Sequence, residues 1–397
     1  MKRFLLIAFL LAQSLAGSTQ DPFDGVISRA EALDEMAVKR QRVALFLTDK
    51  NLDGLLLSRV VNVAWATAGL VDSHILLTAE TGPAALLLLR DGRAFVVGPN
   101  TELAHLTVEQ LTGLDVKPLG YDWFEGDPRP ELLAKNFPNQ KLATDAPLGT
   151  LPVLDVASLR YSLTPSELKK YRWVCRQSAE AVAAVCRKLK PGETDRQIEA
   201  LTSDELLRRG LRPTVILIGL DERLHHFFHY PPVGKILKKH AFVNVCARRW
   251  GLVSSVGRYV HFGPVPADLR EEMIKSAEIS ARLEAASQPG ARAADLARQA
   301  KSWYAEQGQP EGWKAIHFGG GIGYAEREWV ATESSPEVIG PNQALAWNPF
   351  TRAALSFDTI FVHPDGRTEK LTELSTWPAI PIRVGDRVYR MPGILSR

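Results

Sequence analysis

The stretch 241–263, AFVNVCARRWGLVSSVGRYVHFG, decides the fold class of this chain. Its two halves, Phe242–Ala247 and Gly251–His261, are rich in β-branched and aromatic residues and are separated by a charged turn. Two such runs around a short turn predict a β-hairpin with one buried face. Asn244 lies on the first predicted strand and Ser255 on the second, so each strand carries a small polar side chain.

The hairpin resembles that of the pita-bread family, which includes creatinases, prolidases, methionine aminopeptidases and aminopeptidases P. In that family the hairpin reads Val-Asp-x-Gly, a turn, and then Gly-Tyr-x-Ser-Asp-x-Thr-Arg. Asn244 and Ser255 stand at the two aspartate positions, and Arg258 stands at the arginine position. Three later landmarks resemble the family in the same order, namely Gly319–Gly323 followed by Arg327 and Glu328, then Ala346–Phe350, then Ser356–Thr359.

The resemblance also indicates which metal ligands are missing. In the family two aspartates, one histidine and two glutamates hold two divalent cations, and the matching positions here are Asn244, Ser255, Gly320, Asn348 and Phe357. Amide and hydroxyl oxygens bind transition metals weakly, and glycine and phenylalanine side chains supply no ligand. We therefore expect no metal site and no cofactor.

Two histidines are candidates for the chemistry of the site. His229 matches the pocket histidine of the family, which in the metal-free creatinase branch resembles a proton-transferring residue. A neutral imidazole can take a proton near neutral pH, as a metal-free hydrolase would require. The alternative for His229, and for its neighbours His225 and His226, is a solvent-facing loop without a catalytic role. His317 keeps the family's histidine ahead of the glycine-rich strand, where it is either a structural hydrogen-bonding residue or a pocket residue.

Two arginines suggest the charge of the ligand. Arg327 stands where the family has a second pocket histidine, and Arg258 projects from the hairpin. With the acidic ligands replaced, these arginines and the polar Asn244, Ser255 and Asn348 predict a pocket that is neutral to positive. Such a pocket suits a carboxylate or another anion. We therefore expect a small peptide or an amino-acid-like anion as the partner.

The composition indicates a globular protein, and the N-terminal residues indicate where the protein is located. A content of 45% hydrophobic and 23% charged residues is typical of a globular chain. Without residues 1–18, which include Lys2 and Arg3, 46 basic and 45 acidic residues leave a formal net charge of +1, which argues against nucleic acid as a partner. Residues 1–18 combine Lys2 and Arg3 with a short apolar run and small residues, which predicts a signal peptide and export to the periplasm or the outside. The alternative, a membrane anchor, would need roughly 20 apolar residues. The mature protein is therefore not expected to bind membranes, and its three cysteines are expected to be buried free thiols.

The predicted domains follow from element order. Residues 19–150 read as an α/β domain that resembles the N-terminal domain of creatinases and prolidases, with a long helix over Val26–Asp49 and strands that include Val61–Trp65 and Ile75–Ala79. Residues 160–376 are expected to form an α+β pita-bread domain, and residues 377–397 a C-terminal tail. The resemblance implies a homodimer.

Three functions remain open from the sequence. The first is a metal-independent hydrolase of a C–N bond in a small peptide or N-substituted amino acid, with His229 as the acid–base group. The second is a non-catalytic protein that binds ligand in the same cleft. The third is an ordinary metallopeptidase of this family.

Overall fold

The computed structural model describes residues 23–397. The predicted signal peptide lies outside this range. None of the helices within it has the length and apolar character needed to cross a lipid bilayer.

The first part of the chain forms a five-stranded mixed sheet with helices. Its helices and strands are α1 Arg29–Asp49, β1 Gly54–Arg59, α2 Val60–Ala66, β2 Thr81–Leu89, β3 Ala94–Pro99, α3 Asn100–His105, β4 Lys117–Tyr121, α4 Arg129–Asn136 and β5 Leu142–Thr144. The strand order is β4-β3-β2-β1-β5, with β5 parallel to β1 and β4 parallel to β3. Short turns of π-helix and 3-10 helix occupy Leu106–Gln110, Trp123–Glu125 and Ala157–Arg160. This arrangement confirms the α/β class predicted for this part of the chain.

Two predicted strands are wrong. The segment Val61–Trp65 lies within the helix α2, because burial of nearly every side chain in this short helix overrides the strand preference of its valines. The segment Ile75–Ala79 forms no strand, and Ile75, Leu76 and Leu77 are exposed. An apolar run therefore does not by itself identify a buried strand.

The second part of the chain begins at a helix with a strong start signal. Thr164 and Glu167 form the predicted capping box, in which Thr164 Oγ1 accepts from the Glu167 N–H at 3.2 Å and Glu167 Oε2 accepts from the Thr164 N–H at 2.7 Å. The helices are α5 Pro165–Lys188, α6 Asp195–Arg208, α7 Arg223–His226, α8 Ala267–Ala286 and α9 Ala293–Glu306, with a 3-10 turn at Gly312–Lys314. The strands are β6 Arg212–Leu220, β7 His240–Arg249, β8 Leu252–His261, β9 Gly319–Ile322, β10 Trp329–Val330, β11 Gln343–Trp347, β12 Phe350–Thr351, β13 Ala354–Leu355, β14 Asp358–Val362, β15 Thr368–Lys370, β16 Ala379–Val384, β17 Arg387–Pro392 and β18 Ile394–Ser396.

Two sheets meet at the predicted hairpin. One has the order β18-β8-β7-β6 and the other has the order β10-β9-β11-β14-β15. Thr359 on β14 joins them, because its hydroxyl accepts from the Ser255 N–H and donates to the Ser255 carbonyl, both at 2.9 Å. On the outer side of the first sheet, the hydroxyl of Tyr171 on α5 donates to the Val253 carbonyl at 2.6 Å. The predicted α+β class of this part is therefore confirmed.

The stretch predicted as a C-terminal tail is folded. Strands β16 and β17 pair as a hairpin, and Ile382 and Met391 pack against Ala277 and Ala281 of α8. Strand β18 then pairs in parallel with β8. The end of the chain therefore completes the sheet that contains the central hairpin.

A buried charge cluster joins the two parts of the chain. Lys39 on α1 contacts Glu35 at 2.6 Å and Glu167 on α5 at 2.9 Å, and Lys170 on α5 contacts Glu35 at 2.8 Å. The Tyr324 hydroxyl donates to Glu167 at 2.7 Å. All four charged side chains are buried. Because each lysine has a carboxylate partner, the cluster fixes α1 against α5 and against the segment that follows β9.

Candidate functional site

The two polar residues of the hairpin lie on one face of the sheet. Asn244 is opposite Gly257, and Ser255 is opposite Cys246, so all four residues share that face. The Asn244 amide donates to the Val256 carbonyl at 3.2 Å, and Ser255 Oγ lies 3.2 Å from Cys246 Sγ. Both polar side chains are buried and form hydrogen bonds within the hairpin.

Arg327 lies in the turn between β9 and β10. Its Nη2 donates to Asn348 Oδ1 at 3.0 Å, its Nη1 donates to the Glu326 carbonyl at 2.7 Å, and its guanidinium lies 5.8 Å from the centre of the Phe357 ring. Its Nε is buried, and no described residue accepts a hydrogen bond from it. Desolvation lowers the pKa of Arg327, and this effect outweighs the opposing influence of nearby Cys246. Arg327 is therefore a half-buried cation whose Nε–H is not used by the described part of the chain.

Glu328, the residue after Arg327, holds the turn that carries Arg327. Glu328 Oε1 accepts from the Tyr324 N–H at 2.9 Å and from the Ala325 N–H at 3.2 Å. Arg160 forms an ion pair with the same carboxylate. The position of Arg327 is thus set by buried, charge-assisted hydrogen bonds on the residue that follows it.

Asn348 connects Arg327 to His317. Its Nδ2 donates to the His317 carbonyl at 2.8 Å, while its Oδ1 accepts from Arg327. The Asn348 N–H donates to the Phe318 carbonyl at 2.9 Å, and the side chain is buried. Three of the predicted site residues, Arg327, Asn348 and His317, therefore form one connected group.

The ring of His317 has a defined hydrogen-bonding role. Its Nδ1 accepts from the Gly319 N–H at 3.1 Å, so the proton of the neutral ring is on Nε2. Desolvation of the ring, and after it the nearby charge of Arg327, lowers the pKa of His317 to about 4. The residue as a whole is exposed, and solvent moderates this effect. At neutral pH the ring is therefore uncharged and presents an N–H donor at Nε2.

His229 lies in the loop that follows α7. It is exposed, and its ring lies edge-on to Phe228, which in turn packs on Phe350 with ring centres 5.1 Å apart. His225 and His226 are also exposed.

Arg258 is not part of this group. The side chain of Arg258 projects from the opposite face of the hairpin to Asn244 and Ser255, because it is paired with Val243 in the ladder. Its Nη2 donates to Asp358 at 2.8 Å and to the Thr372 carbonyl at 2.7 Å. We therefore correct the expectation that Arg258 and Arg327 line one pocket, since Arg258 is committed to a buried ion pair.

The position of Gly320 leaves no space for the histidine that the pita-bread family has there. A β-carbon at this position would lie 2.2 Å from the Trp329 carbonyl oxygen, and the φ angle of Gly320 is +156°. Strand β10 pairs with β9 at this point, so the backbone itself fills the space.

A cavity of about 800 Å³ lies between the two parts of the chain and reaches Arg327. It is lined by residues from both parts, among them the charged or titratable side chains Arg59, His74, Glu80, Asp145, Asp155, Arg160, Arg212, Arg248, Glu326 and Arg327. Most of these residues were not predicted from the sequence, because their grouping depends on non-local packing. The charged turn of the hairpin, which includes Arg248, was the only local signal.

Comparison with solved structures identifies the fold. The prolidase from Pyrococcus horikoshii OT3 is 17% identical, with a TM-score of 0.69, and the match covers 85% of this chain and 98% of that chain. Dipeptidase PepE from Mycobacterium ulcerans is 18% identical, with a TM-score of 0.69 and coverage of 86% and 96%. The N-terminal domain of the FACT complex subunit SPT16 from Cicer arietinum is 11% identical, with a TM-score of 0.64 and coverage of 87% and 97%. These matches confirm the predicted two-part architecture with a pita-bread domain.

No curated protein matches the chain in sequence. A family model does match it, and this match agrees with the structural comparison. Residues 169–373, more than half of the chain, match the model of metallopeptidase family M24. This segment contains the hairpin, the glycine-rich strand, Arg327 and Asn348. The chain therefore belongs to metallopeptidase family M24.

Proposed function

We propose that this protein hydrolyses a C–N bond in a small, carboxylate-bearing peptide or N-substituted amino acid, and that it does so without a dinuclear metal centre. The observation that carries the proposal is the half-buried Arg327, whose guanidinium is largely desolvated. Among residues 23–397, no carboxylate lies within ion-pair distance of it, and its Nε has no acceptor. A desolvated guanidinium favours an anionic partner, and a substrate carboxylate would supply one.

The side chains at the family's ligand positions support the metal-free part of the proposal. Asn348 Oδ1 accepts from a cation, Arg327, and Ser255 Oγ lies against the Cys246 thiol. The ring at Phe357 lies beside the guanidinium, and Gly320 is closed in by β10. A pair of dications at these positions would face one buried positive charge and no carboxylate from the ligand set, so these residues do not fit the metal centre of the family.

The proposed reaction uses the two histidines in different roles. Arg327 binds the substrate carboxylate, and the Nε2–H of His317 donates a hydrogen bond to the carbonyl oxygen next to the scissile bond. His229 takes a proton from water as the water oxygen bonds to the carbonyl carbon. The C–N bond then breaks, and the proton on His229 passes to the leaving nitrogen. The products are an acid and an amine, and His229 is regenerated as a neutral ring.

A second candidate is a non-catalytic protein that binds the same carboxylate ligand. It is favoured by the setting of His229, which is exposed and has no carboxylate within ion-pair distance among residues 23–397. A general base usually has a partner that orients its ring. A conventional two-metal M24 peptidase is the third candidate.

We also propose the cellular location and the oligomeric state that were expected from the sequence. Residues 1–18 act as a signal peptide, and the mature protein is exported and acts as a homodimer. Residues 19–150 and 160–376 act as the two domains of the mature chain, with the ligand bound near Arg327.

One experiment separates the three candidates. Purified mature protein is incubated with a mixed library of dipeptides and N-acyl amino acids, with and without a metal chelator, and the products are identified by mass spectrometry. Turnover that persists with chelator supports the metal-free hydrolase. Turnover that chelator abolishes supports the metallopeptidase, and binding without turnover supports the binding protein.

A further inference from the structure

Two arginines stand directly opposite each other at the edge of the cavity. Arg212 begins β6 and Arg248 lies near the end of β7, and the two are paired in the antiparallel ladder. Like charges at directly opposed positions destabilise a sheet unless a counter-ion lies between them. Arg248 is largely buried, with 12% of its side chain exposed, whereas 44% of the Arg212 side chain is exposed.

The two arginines share one distant carboxylate. Asp72 Oδ2 lies 3.8 Å from Arg212 Nη1 and 3.8 Å from Arg248 Nη2, at the outer limit of an ion pair. The other oxygen of Asp72 is 2.6 Å from His74 Nδ1. That same ring nitrogen is 2.9 Å from Arg248 Nη2. One nitrogen cannot donate to Asp72 and accept from Arg248 at once. When Nδ1–H donates to Asp72, the ring can accept from Arg248 only at Nε2, which lies 3.4 Å from Arg248 Nη1.

The other arginines of the cavity are better paired. Arg59 forms an ion pair with Glu80, and Arg160 forms one with Glu328. Arg212, Arg248 and Arg327 remain, and all three line the same cavity of about 800 Å³. Glu326, which precedes Arg327 in the chain, lines this cavity as well. The cavity therefore has a second basic end in addition to Arg327.

We propose that Arg212 and Arg248 form a second anion subsite, so that the ligand of this cavity carries two acidic groups, one bound by Arg327 and one by the arginine pair. The assignment of the first group rests on the proposed function, whereas the arginine pair is an independent observation. Two guanidinium groups side by side suit an oxyanion with several acceptor oxygens, as in a carboxylate or a phosphate. The substrate class is then a dianionic small molecule, such as an acidic dipeptide or a phosphorylated amino-acid derivative.

The test uses calorimetry with the mature protein and three sets of probes. The first is a series of α,ω-dicarboxylates from malonate to pimelate, the second is the monocarboxylates of equal length, and the third is inorganic phosphate. The variants are Arg248→Gln, Arg212→Gln and Arg327→Gln. Arg383→Gln, an exposed arginine on the C-terminal hairpin, is the matched control. The dicarboxylate series distinguishes a carboxylate as the second group from a phosphate.

We expect the substitution of Arg248 to reduce the affinity for dicarboxylates or phosphate and to leave the affinity for monocarboxylates nearly unchanged. Arg248→Gln should weaken binding of the best dicarboxylate, or of phosphate, by about tenfold or more, and should change monocarboxylate binding by less than about twofold. Without ligand, the melting temperature of Arg248→Gln should equal or exceed that of the wild type, because the substitution relieves the repulsion with Arg212. A marked drop in melting temperature would indicate a purely structural arginine and would overturn the proposal.

The outcomes also separate this inference from the proposed function. If Arg327→Gln weakens monocarboxylates while Arg248→Gln and Arg212→Gln bind dicarboxylates and phosphate as tightly as wild type, the second subsite is refuted and the Arg327 site stands. If Arg248→Gln weakens phosphate or dicarboxylates while Arg327→Gln changes nothing, the arginine pair is an anion site and the proposed role of Arg327 fails.

Discussion

The Nη2 atom of Arg327 donates a 3.0 Å hydrogen bond to Oδ1 of Asn348, at a position where the resembling family has a glutamate that binds metal. In a two-metal member of the family, a carboxylate at this position faces a cation that arrives from solution. Here the amide oxygen faces a cation that belongs to the chain. This relationship is the basis of the account, because it leaves the guanidinium with donors to spare for a ligand.

Replacing Arg327 should weaken ligand binding. Arg327→Ala is expected to cost about 2–4 kcal/mol of binding free energy, because it leaves the ligand carboxylate without its buried partner. Calorimetry with a ligand identified from the library measures the loss, and Arg383→Ala serves as the control. Unchanged affinity in Arg327→Ala would show that the ligand carboxylate binds elsewhere.

Replacing His229 should affect turnover rather than binding. His229→Ala is expected to lower kcat about a hundredfold or more with little change in affinity, since general acid–base catalysis typically contributes this much. His226→Ala, an exposed neighbour in the same loop, is the control. Normal turnover by His229→Ala would exclude the proposed acid–base role.

Acid should destabilise the fold through His240. Burial lowers the pKa of His240 to about 3, and nearby His261 and His225 act in the same direction while Asp221 opposes them. Because an unfolded histidine titrates near 6.5, only the unfolded state takes up this proton as the pH falls below that value. Its contribution is thus complete above pH 6.5 and is lost, at about 1.4 kcal/mol per pH unit, as the pH falls towards 3.

The measurement for His240 is the free energy of unfolding by denaturant at several pH values. Between pH 6.5 and about 4.5, most carboxylates stay ionised. In this range the free energy of unfolding of His240→Phe should fall less steeply with decreasing pH than that of the wild type, and the difference in slope should correspond to about one proton. His105→Phe, a half-exposed histidine in the first part of the chain, is the control. Parallel curves for the wild type and His240→Phe would contradict the expectation.

The buried charge cluster between the two parts of the chain should be sensitive to removal of one charge. Burial raises the pKa of Glu35, but Lys39 and Lys170 outweigh this effect and lower the pKa to about 2. Glu35→Gln would leave these two buried lysines with a single carboxylate and should cost about 3–5 kcal/mol of stability. Glu31→Gln, on the exposed side of the same helix, is the comparison in a denaturant titration. Equal stability of the two variants would argue against this role of the cluster.

The fold was largely predictable because its signals are local. The capping box at Thr164 and the two β-rich runs in 241–263 each depend on a few neighbouring residues. The expectation of one buried face for this hairpin was wrong, because helices and a second sheet cover it and almost all of its residues are buried. The helix α2 was not predictable in the same way, because its valines favour a strand and only the surrounding core reverses that preference.

The site was less predictable than the fold. The resemblance supplied the positions of Arg327, Asn348 and His317, and the structure places them in contact through Asn348. It gave no indication that Arg258 pairs with Asp358 on the other face of the hairpin. Arg212 and Arg248 are far apart in sequence, and only the register of β6 with β7 brings them opposite each other in the sheet.

The central claim is that the chain's own cation stands where the family uses bound metal, and metal content tests it most directly. Mature protein is dialysed against buffer with manganese, cobalt or zinc, then against metal-free buffer, and its metal is measured by elemental analysis. The account predicts less than about 0.1 ion per chain, because the positions of the family's ligands offer no carboxylate or imidazole. A value of about two ions per chain would contradict the account and would restore the conventional metallopeptidase.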